Sequence, residues 1–163
     1  MPMRYHMRRK DNEITDEGDL KKILKTARYI TIAMTKDDEP YIVTLSHAYD
    51  EDRNCVYFHC AREGKKLDFL KENAAVWGQA LLDYGFDEKE CSQSWATVMF
   101  SGKVSFVEGE DQKWDSLALM TKQLVVDSER LIAARSRQRV LETVVGRIDI
   151  DYMSGKKTND VIL

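Results

Sequence analysis

Cysteine, histidine and proline are scarce in this sequence of 163 residues, which contains three, three and two of them respectively. The cysteines (Cys55, Cys60 and Cys91) are odd in number and form no Cys-x-x-Cys pair, so a disulfide framework and a zinc site both lose support. No His-Glu-x-x-His motif is present either. We therefore predict free thiols in a reducing cytoplasm and no bound metal ion.

Other function classes lose support because their motifs are missing. There is no glycine-rich phosphate loop of the Walker or dinucleotide type and no nucleophile-elbow serine. No apolar run approaches the roughly 20 residues that span a bilayer, and the N-terminus has no apolar segment of the signal-peptide kind. The net charge is −3, and the short basic run Arg8-Arg9-Lys10 is typical of a solvated terminus. Neither a membrane nor nucleic acid is an expected partner.

The length and composition predict a single domain over residues 1–163, with 43% apolar residues to build a core. We expect an N-terminal arm over 1–13 and a C-terminal tail over 158–163. Hydrophobic periodicity predicts six strands and four helices between them. In chain order these are a helix from Thr15 or Asp16 to Arg28, strands over 29–35, 41–49 and 54–60, a helix over 65–73, strands over 75–84 and 95–108 joined by a loop or ragged strand end, helices over 111–125 and 128–143, and a strand over 144–153 followed by a turn at 154–157.

The order and spacing of these elements predict the fold class α+β. Short meander links favour an antiparallel sheet that closes or nearly closes into a small barrel, with flanking helices. The strand over 75–84 is apolar on both faces, which predicts burial on both faces or a position at an interface. The arginines over 128–143 are spread around their helix, so we expect them to be solvated.

After these exclusions, the stretch from 54 to 73 is the main candidate for a binding site. Its strand closes with His59, a polar loop with Gly64 follows, and Lys65 and Lys66 open the next helix. Free N–H groups and the positive end of a helix dipole favour an anion at such a junction, and the two ammonium groups add full charges. We therefore predict a bound phosphate group here. A plain strand–turn–helix connection with solvated lysines is the alternative.

Two histidines, His47 and His59, lie on adjacent predicted strands and could be near one another. A single histidine at the end of a strand is more often structural than catalytic. The pattern by itself leaves both interpretations of His59 open.

Three blocks resemble the flavin-binding split barrels related to pyridoxamine 5'-phosphate oxidase, and within them the branch related to nitroimidazole-resistance proteins. The blocks are Pro40–Leu45 with Ala48-Tyr49, Val56–Ala61 with Glu63–Asp68, and Trp95–Val104. A late strand that ends in Ser154-Gly155-Lys156 also looks like the end of this branch. Together the blocks cover most of residues 20–157 in the order of the family.

The resemblance implies a six-stranded split β-barrel that forms a homodimer with FMN at the subunit interface. The Gly64-Lys65-Lys66 junction would hold the phosphate, and the strand over 43–46 would contact the isoalloxazine ring through backbone groups. His59 would lie near the flavin and is the candidate catalytic residue. The third block would reach the site from the partner subunit. The implied cofactor-binding residues are Val43, Thr44, Leu45, Ser46, His59, Cys60, Gly64, Lys65, Lys66, Trp95, Thr97 and Met99.

The sequence departs from the oxidases proper at two places. Their junction carries Ser-Arg-Lys and their C-terminal segment carries Trp and Arg, whereas here the junction is Gly64-Lys65-Lys66 and the tail is short. Oxidation of pyridoxamine phosphate is therefore not the expected activity. We expect an FMN-dependent oxidoreductase that uses a nicotinamide donor on a small acceptor such as a nitro compound or quinone, with the flavin carrying the redox chemistry. A non-catalytic flavin-, heme- or small-ligand-binding protein is the main alternative, and a structural dimer whose lysines bind stray anions is a third.

Overall fold

A computed structural model describes residues 7–163. It contains seven strands and five α-helices, with a 3₁₀ turn at Lys10–Asn12 before them. The elements are β1 (Glu13–Ile14), α1 (Glu17–Thr26), β2 (Tyr29–Lys36), β3 (Glu39–Asp50), β4 (Cys55–Cys60), α2 (Lys65–Glu72), β5 (Ala75–Asp87), β6 (Ser92–Phe106), α3 (Glu110–Leu124), α4 (Ser128–Ala133), α5 (Arg137–Glu142) and β7 (Val144–Lys157).

The strands form one antiparallel sheet in the order β1-β7-β4-β3-β2-β5-β6, and a further ladder between β6 and β7 closes it into a ring. The predicted α+β class and split barrel are confirmed. The six long strands are the predicted six, and β1 is an addition, because Glu13 and Ile14 pair with Lys156 and Gly155 of β7. The predicted arm therefore ends sooner, although its first six residues lie outside the described range. Arg8, Arg9 and Lys10 are exposed, as expected.

The interior of the barrel is filled by alternate residues of the long strands, since successive side chains point to opposite faces. Ile30, Ile32, Phe58 and Phe100 are fully buried there. Helix α1, whose N-terminus is capped by the Asp16 side chain as predicted, buries one apolar face against this core. The barrel and α1 therefore share one continuous hydrophobic core.

The outer face of the barrel is only partly covered. Helix α3 packs on the outer side of β4 and β7, where Tyr57 and Val145 meet Leu117 and Met120 in a second apolar cluster. The outer side of β5 is uncovered, and Trp77 and Leu81 are about half exposed. Of the two alternatives for this strand, burial on both faces is therefore wrong for the single chain.

Two boundary predictions are wrong, and the structure decides between the two alternatives of a third. The turn predicted at 154–157 continues β7, because Gly155 lets the strand pass so close to Leu20 that a Cβ there would overlap Leu20 Cδ2. At 85–94, where the sequence predicts a loop or a ragged strand end, the strand end is correct: β5 and β6 continue into a hairpin, bulged at Gly85, whose φ is +92°. The helix predicted over 128–143 is two short helices, since the chain breaks where Arg135 turns inward to Thr121.

No helix within residues 7–163 is long and apolar enough to cross a membrane. All three cysteines carry free thiols: Cys55 is buried, Cys60 is half-buried and Cys91 is exposed.

Candidate functional site

The predicted anion junction is built where β4 ends and α2 begins. Gly64 precedes the helix with φ 141° and ψ 161°, a conformation that residues with a side chain rarely adopt, and a Cβ there would meet open space. The N–H groups of Leu67 and Asp68 donate to the Gly64 carbonyl and start the helical hydrogen bonds. The two preceding N–H groups, those of Lys65 and Lys66, point out of the first turn without an intrahelical partner. The junction therefore has the donors that an anion requires.

The two lysines of the junction do different things. Lys65 forms an ion pair with Glu39 at 2.6 Å, and its ammonium group lies over the rings of Tyr41 and Phe69 at 4.9 and 5.3 Å. Lys66 is half-buried and forms no ion pair within the described residues. Lys66 is consequently the lysine whose charge is available to a ligand.

His59 lies beside Lys66 on the outer face of the barrel. It pairs across the ladder with Val145, and its side chain is exposed at the edge of the region that α3 covers. Partial burial lowers the pKa of His59, and the positive charges of Lys66 and Arg135 lower it further. Burial also raises the pKa of the neighbouring Cys60 thiol, which Lys66 partly offsets. The ring of His59 is therefore neutral at neutral pH and able to accept a hydrogen bond.

Arg135 is a functional candidate that the sequence pattern does not reveal. The pattern predicts a solvated side chain, yet Arg135 is half-buried and its Nη2 donates to Thr121 Oγ1 at 2.6 Å. Its Nη1 is buried without a hydrogen-bond partner in the described part of the chain. The break between α4 and α5 brings this guanidinium to the site, and no periodicity in the sequence signals that break. Lys66 and Arg135 are the two cations whose charges act on His59.

His47 does not join His59. It is fully buried, and its Nε2–H donates to the Leu24 carbonyl of α1 at 2.8 Å. Burial lowers the pKa of His47, while the hydrogen bond to Leu24 opposes that shift. His47 is therefore a structural residue of the core, and the possibility that it lies near His59 is not realised.

The segment 43–46 of β3 offers backbone groups beside the junction. It pairs with β2 on one edge, whereas the β3–β4 ladder covers only His47 to Asp50. Its other edge is therefore outside any ladder within residues 7–163. Val43 and Leu45 point inward to the core, while Thr44 and Ser46 lie on the outer face, with Thr44 bonded to Thr31 at 3.0 Å. Alternate N–H and C=O groups at the free edge are available to a planar polar ring.

The site residues predicted from the third sequence block lie on the wall of the barrel opposite the junction. Strand β6, which carries Trp95, Thr97 and Met99, is separated from β3 by β2 and β5 in one direction and by β7 and β4 in the other. Met99 is 45% exposed, and the Thr97 hydroxyl donates to the Ala80 carbonyl at 2.9 Å. Outer faces of opposite walls point apart, so one chain cannot bring these residues to the junction.

Two surface cavities, of about 690 and 700 Å³, lie along α3. Neither is lined by a residue predicted for the site, although Arg135 lines the second. Within residues 7–163, no three His, Cys, Asp or Glu side chains are grouped so as to hold a metal ion.

The fold and the site define a split barrel with a basic junction beside a free strand edge. The sequence matches the family model described as pyridoxamine 5'-phosphate oxidase over residues 16–157, and the chain belongs to that family. A search of curated proteins finds no match.

Solved structures with the same fold agree with this family. One, described as a 5-nitroimidazole antibiotic resistance protein from Bacteroides thetaiotaomicron, is 25% identical with a TM-score of 0.77, covering 89% of this chain and 86% of its own. A flavocytochrome from Azotobacter vinelandii is 17% identical with a TM-score of 0.79, covering 98% and 75%. An FAD and heme binding protein from Mycobacterium smegmatis is 18% identical with a TM-score of 0.74, covering 91% and 74%.

Proposed function

We propose that this protein is a homodimeric FMN-dependent oxidoreductase that reduces a small acceptor, of the nitro-compound or quinone type, with electrons from a nicotinamide donor. One observation carries the proposal. The free edge of the 43–46 segment belongs to the strand whose Glu39 and Tyr41 contact Lys65 at the α2 N-terminus. The available lysine at that N-terminus is Lys66, whose charge lowers the pKa of His59.

The residues of this chain fit FMN in kind. A doubly charged phosphate suits the unpaired N–H groups of the α2 N-terminus together with the Lys66 ammonium group. The free edge of β3 offers donors and acceptors for the polar edge of an isoalloxazine, and His59 is placed to accept a hydrogen bond near it. FMN, when bound, supplies the electron transfer, which agrees with the absence of a catalytic triad or metal motif from the sequence.

The uncovered outer face supports the homodimer. Trp77, Leu81 and Met99 lie on the same face of β5 and β6 and are each 44–53% exposed. Exposed apolar side chains grouped on one face are typical of an interaction surface. A second copy that covers it would also supply the Trp95, Thr97 and Met99 side chains, which the barrel holds away from the junction of their own chain.

The second candidate function is a flavin or heme carrier without turnover. The structures from Azotobacter vinelandii and Mycobacterium smegmatis share the fold and are described as a flavocytochrome and as an FAD and heme binding protein. His59 is exposed and its pKa is lowered, so its ring nitrogen could bind heme iron as readily as it could face a flavin. The free thiols agree with a reducing cytoplasm for either function.

Flavin uptake followed by anaerobic reduction tests the proposal. We expect the purified protein to quench the fluorescence of added FMN, to gain thermal stability from it, and to lose the yellow absorbance when NADH or NADPH is mixed in without oxygen. Reoxidation by a nitroaromatic or quinone should follow. A protein that neither quenches FMN fluorescence nor is stabilised by FMN contradicts flavin binding altogether. Flavin that binds but is not reduced by either nicotinamide favours the carrier, and a heme titration then decides its ligand.

A further inference from the structure

A cavity of about 700 Å³ opens between helices α3, α4 and α5. Leu117 from α3, Leu131 from α4 and Val140 from α5 form its apolar lining. The volume lies in the range of small-molecule sites, roughly 300–1,000 Å³. None of its lining residues belongs to β3, β4 or α2, so it is separate from the junction proposed for FMN.

Two guanidinium groups line this cavity without a matching acid. Arg135 is fixed by Thr121, and its Nη1 is buried with no hydrogen-bond partner in the described part of the chain. Arg139 forms no ion pair within residues 7–163. No Asp or Glu lies among the described residues that line the cavity. A buried charged donor without a partner is costly, and an anion is the partner that removes the cost.

The neighbouring Arg137 shows that this arrangement is specific to the cavity. Arg137 lies on α5 as well, but its guanidinium pairs with Glu110 at 2.7 Å and stacks on the ring of Trp114 at 5.3 Å. It is thus neutralised by its own chain. Of Arg135, Arg137 and Arg139, the two that line the cavity have no acidic partner among the described residues, whereas Arg137 does.

We propose that this cavity binds a small organic anion, a carboxylate or phosphate carried on an apolar body. Arg135 and Arg139 hold the anionic group, the hydroxyl of Ser136 lies in the same wall to donate a further hydrogen bond, and the leucine and valine side chains contact the apolar part. The site goes beyond the proposed flavin function and does not depend on it. Because Arg135 is also close enough to His59 to lower its pKa, the anion would lie next to the flavin site.

Benzoate and phenyl phosphate are suitable probes, with benzamide as the neutral analogue of matching shape. Titration calorimetry on the wild-type protein, with and without saturating FMN, measures their binding. We expect both anions to bind and benzamide not to bind. Arg135→Gln and Arg139→Gln should each weaken the anions about tenfold or more, because each removes a charge-assisted hydrogen bond. Arg137→Gln, the matched control, should leave their affinity unchanged.

The alternatives give different results. Loss of anion binding when FMN is saturating would show that the arginines hold the flavin phosphate itself, and it would overturn a separate site. Equal weakening by Arg137→Gln, equal binding of benzamide, or no binding of either anion at millimolar concentration also overturns it. Arg135→Lys keeps the positive charge but loses the planar set of guanidinium donors. An intermediate affinity for this variant supports recognition by the guanidinium. If FMN does not bind, the flavin function is contradicted, but the benzoate titration without FMN still tests the anion site.

Discussion

His47 and Phe58 face each other across the β3–β4 ladder, and both side chains point into the barrel. His59, one residue after Phe58, therefore points to the outer face. The two histidines that lie on adjacent strands are thus separated by the sheet itself. One is bonded to Leu24 in the core, and the other is exposed beside Lys66.

The burial of His47 makes stability depend on pH. Its pKa is lowered in the folded protein, so the unfolded chain binds more protons between that lowered pKa and the usual value of about 6.5. The free energy of unfolding should therefore rise with pH through this window and fall on acidification below about 6.5. Urea unfolding at a series of pH values from neutral to acidic measures this. We expect a flatter profile for His47→Gln, and equal profiles would contradict this role of His47.

Lys66→Ala should weaken FMN much more than riboflavin, which lacks the phosphate. Loss of a charge-assisted hydrogen bond to phosphate corresponds to roughly tenfold or more in affinity for FMN. Lys65→Ala is the matched control, because Lys65 is already paired with Glu39 and should change FMN affinity little. Fluorescence titration of both flavins with the wild type and the two variants measures the six affinities. Equal loss of FMN and riboflavin in Lys66→Ala would mean that the junction does not hold the phosphate.

His59→Gln should leave folding intact and affect chemistry. The side chain is exposed, and substitutions of that kind usually change stability by about 0.5 kcal/mol or less. If His59 exchanges a proton during turnover, the flavin reduction rate should fall about 10²-fold or more. The wild-type rate should also change where the lowered pKa of His59 is crossed, and the variant should lose that dependence. Stopped-flow mixing with NADPH measures this, and an unchanged rate with flavin bound would leave His59 without a catalytic role.

Leu81→Glu should break the proposed dimer and weaken FMN with it. Leu81 is 53% exposed on the outer face of β5, and a charge there would be buried by a second copy of the chain. Ile162→Glu is the control, since Ile162 is 93% exposed and belongs to no strand. Sedimentation velocity on both variants measures the assembly state. A Leu81→Glu protein that stays dimeric and binds FMN as the wild type does would place the interface elsewhere.

Gly146→Ala should destabilise the fold. Gly146 lies opposite Phe58 on β7, and a Cβ there would clash with Cζ of that fully buried ring. Overpacking of this kind costs about 1–3 kcal/mol. In the Phe58→Leu background the cost should shrink, because the atoms that clash are gone. Denaturant unfolding of the four proteins completes the cycle, and additive losses would show that the ring is not the cause.

Much of the fold follows from local patterns along the chain. Alternation places Ile30 and Ile32 inside β2, and Asp16 caps α1, because strand parity and helix capping depend on neighbouring residues alone. The continuation of β7 past residue 153 is not predictable in this way, because the close approach at Gly155 depends on Leu20, far away in the chain. The break at Arg135 escapes prediction for the same reason, since its partner Thr121 lies on another helix.

For the site, the sequence by itself determined the kinds of groups: a glycine before a helix, two lysines in its first turn, and a strand-end histidine. The tertiary structure decided which of them are available. Glu39 forms an ion pair with Lys65, so Lys66 remains available to a ligand. The fold also places Arg135 where its charge lowers the pKa of His59. The barrel also sets Trp95–Met99 on the wall opposite the junction. Pairing across a sheet and between distant charges depends on how the strands close, and residue spacing along the chain does not encode that closure directly.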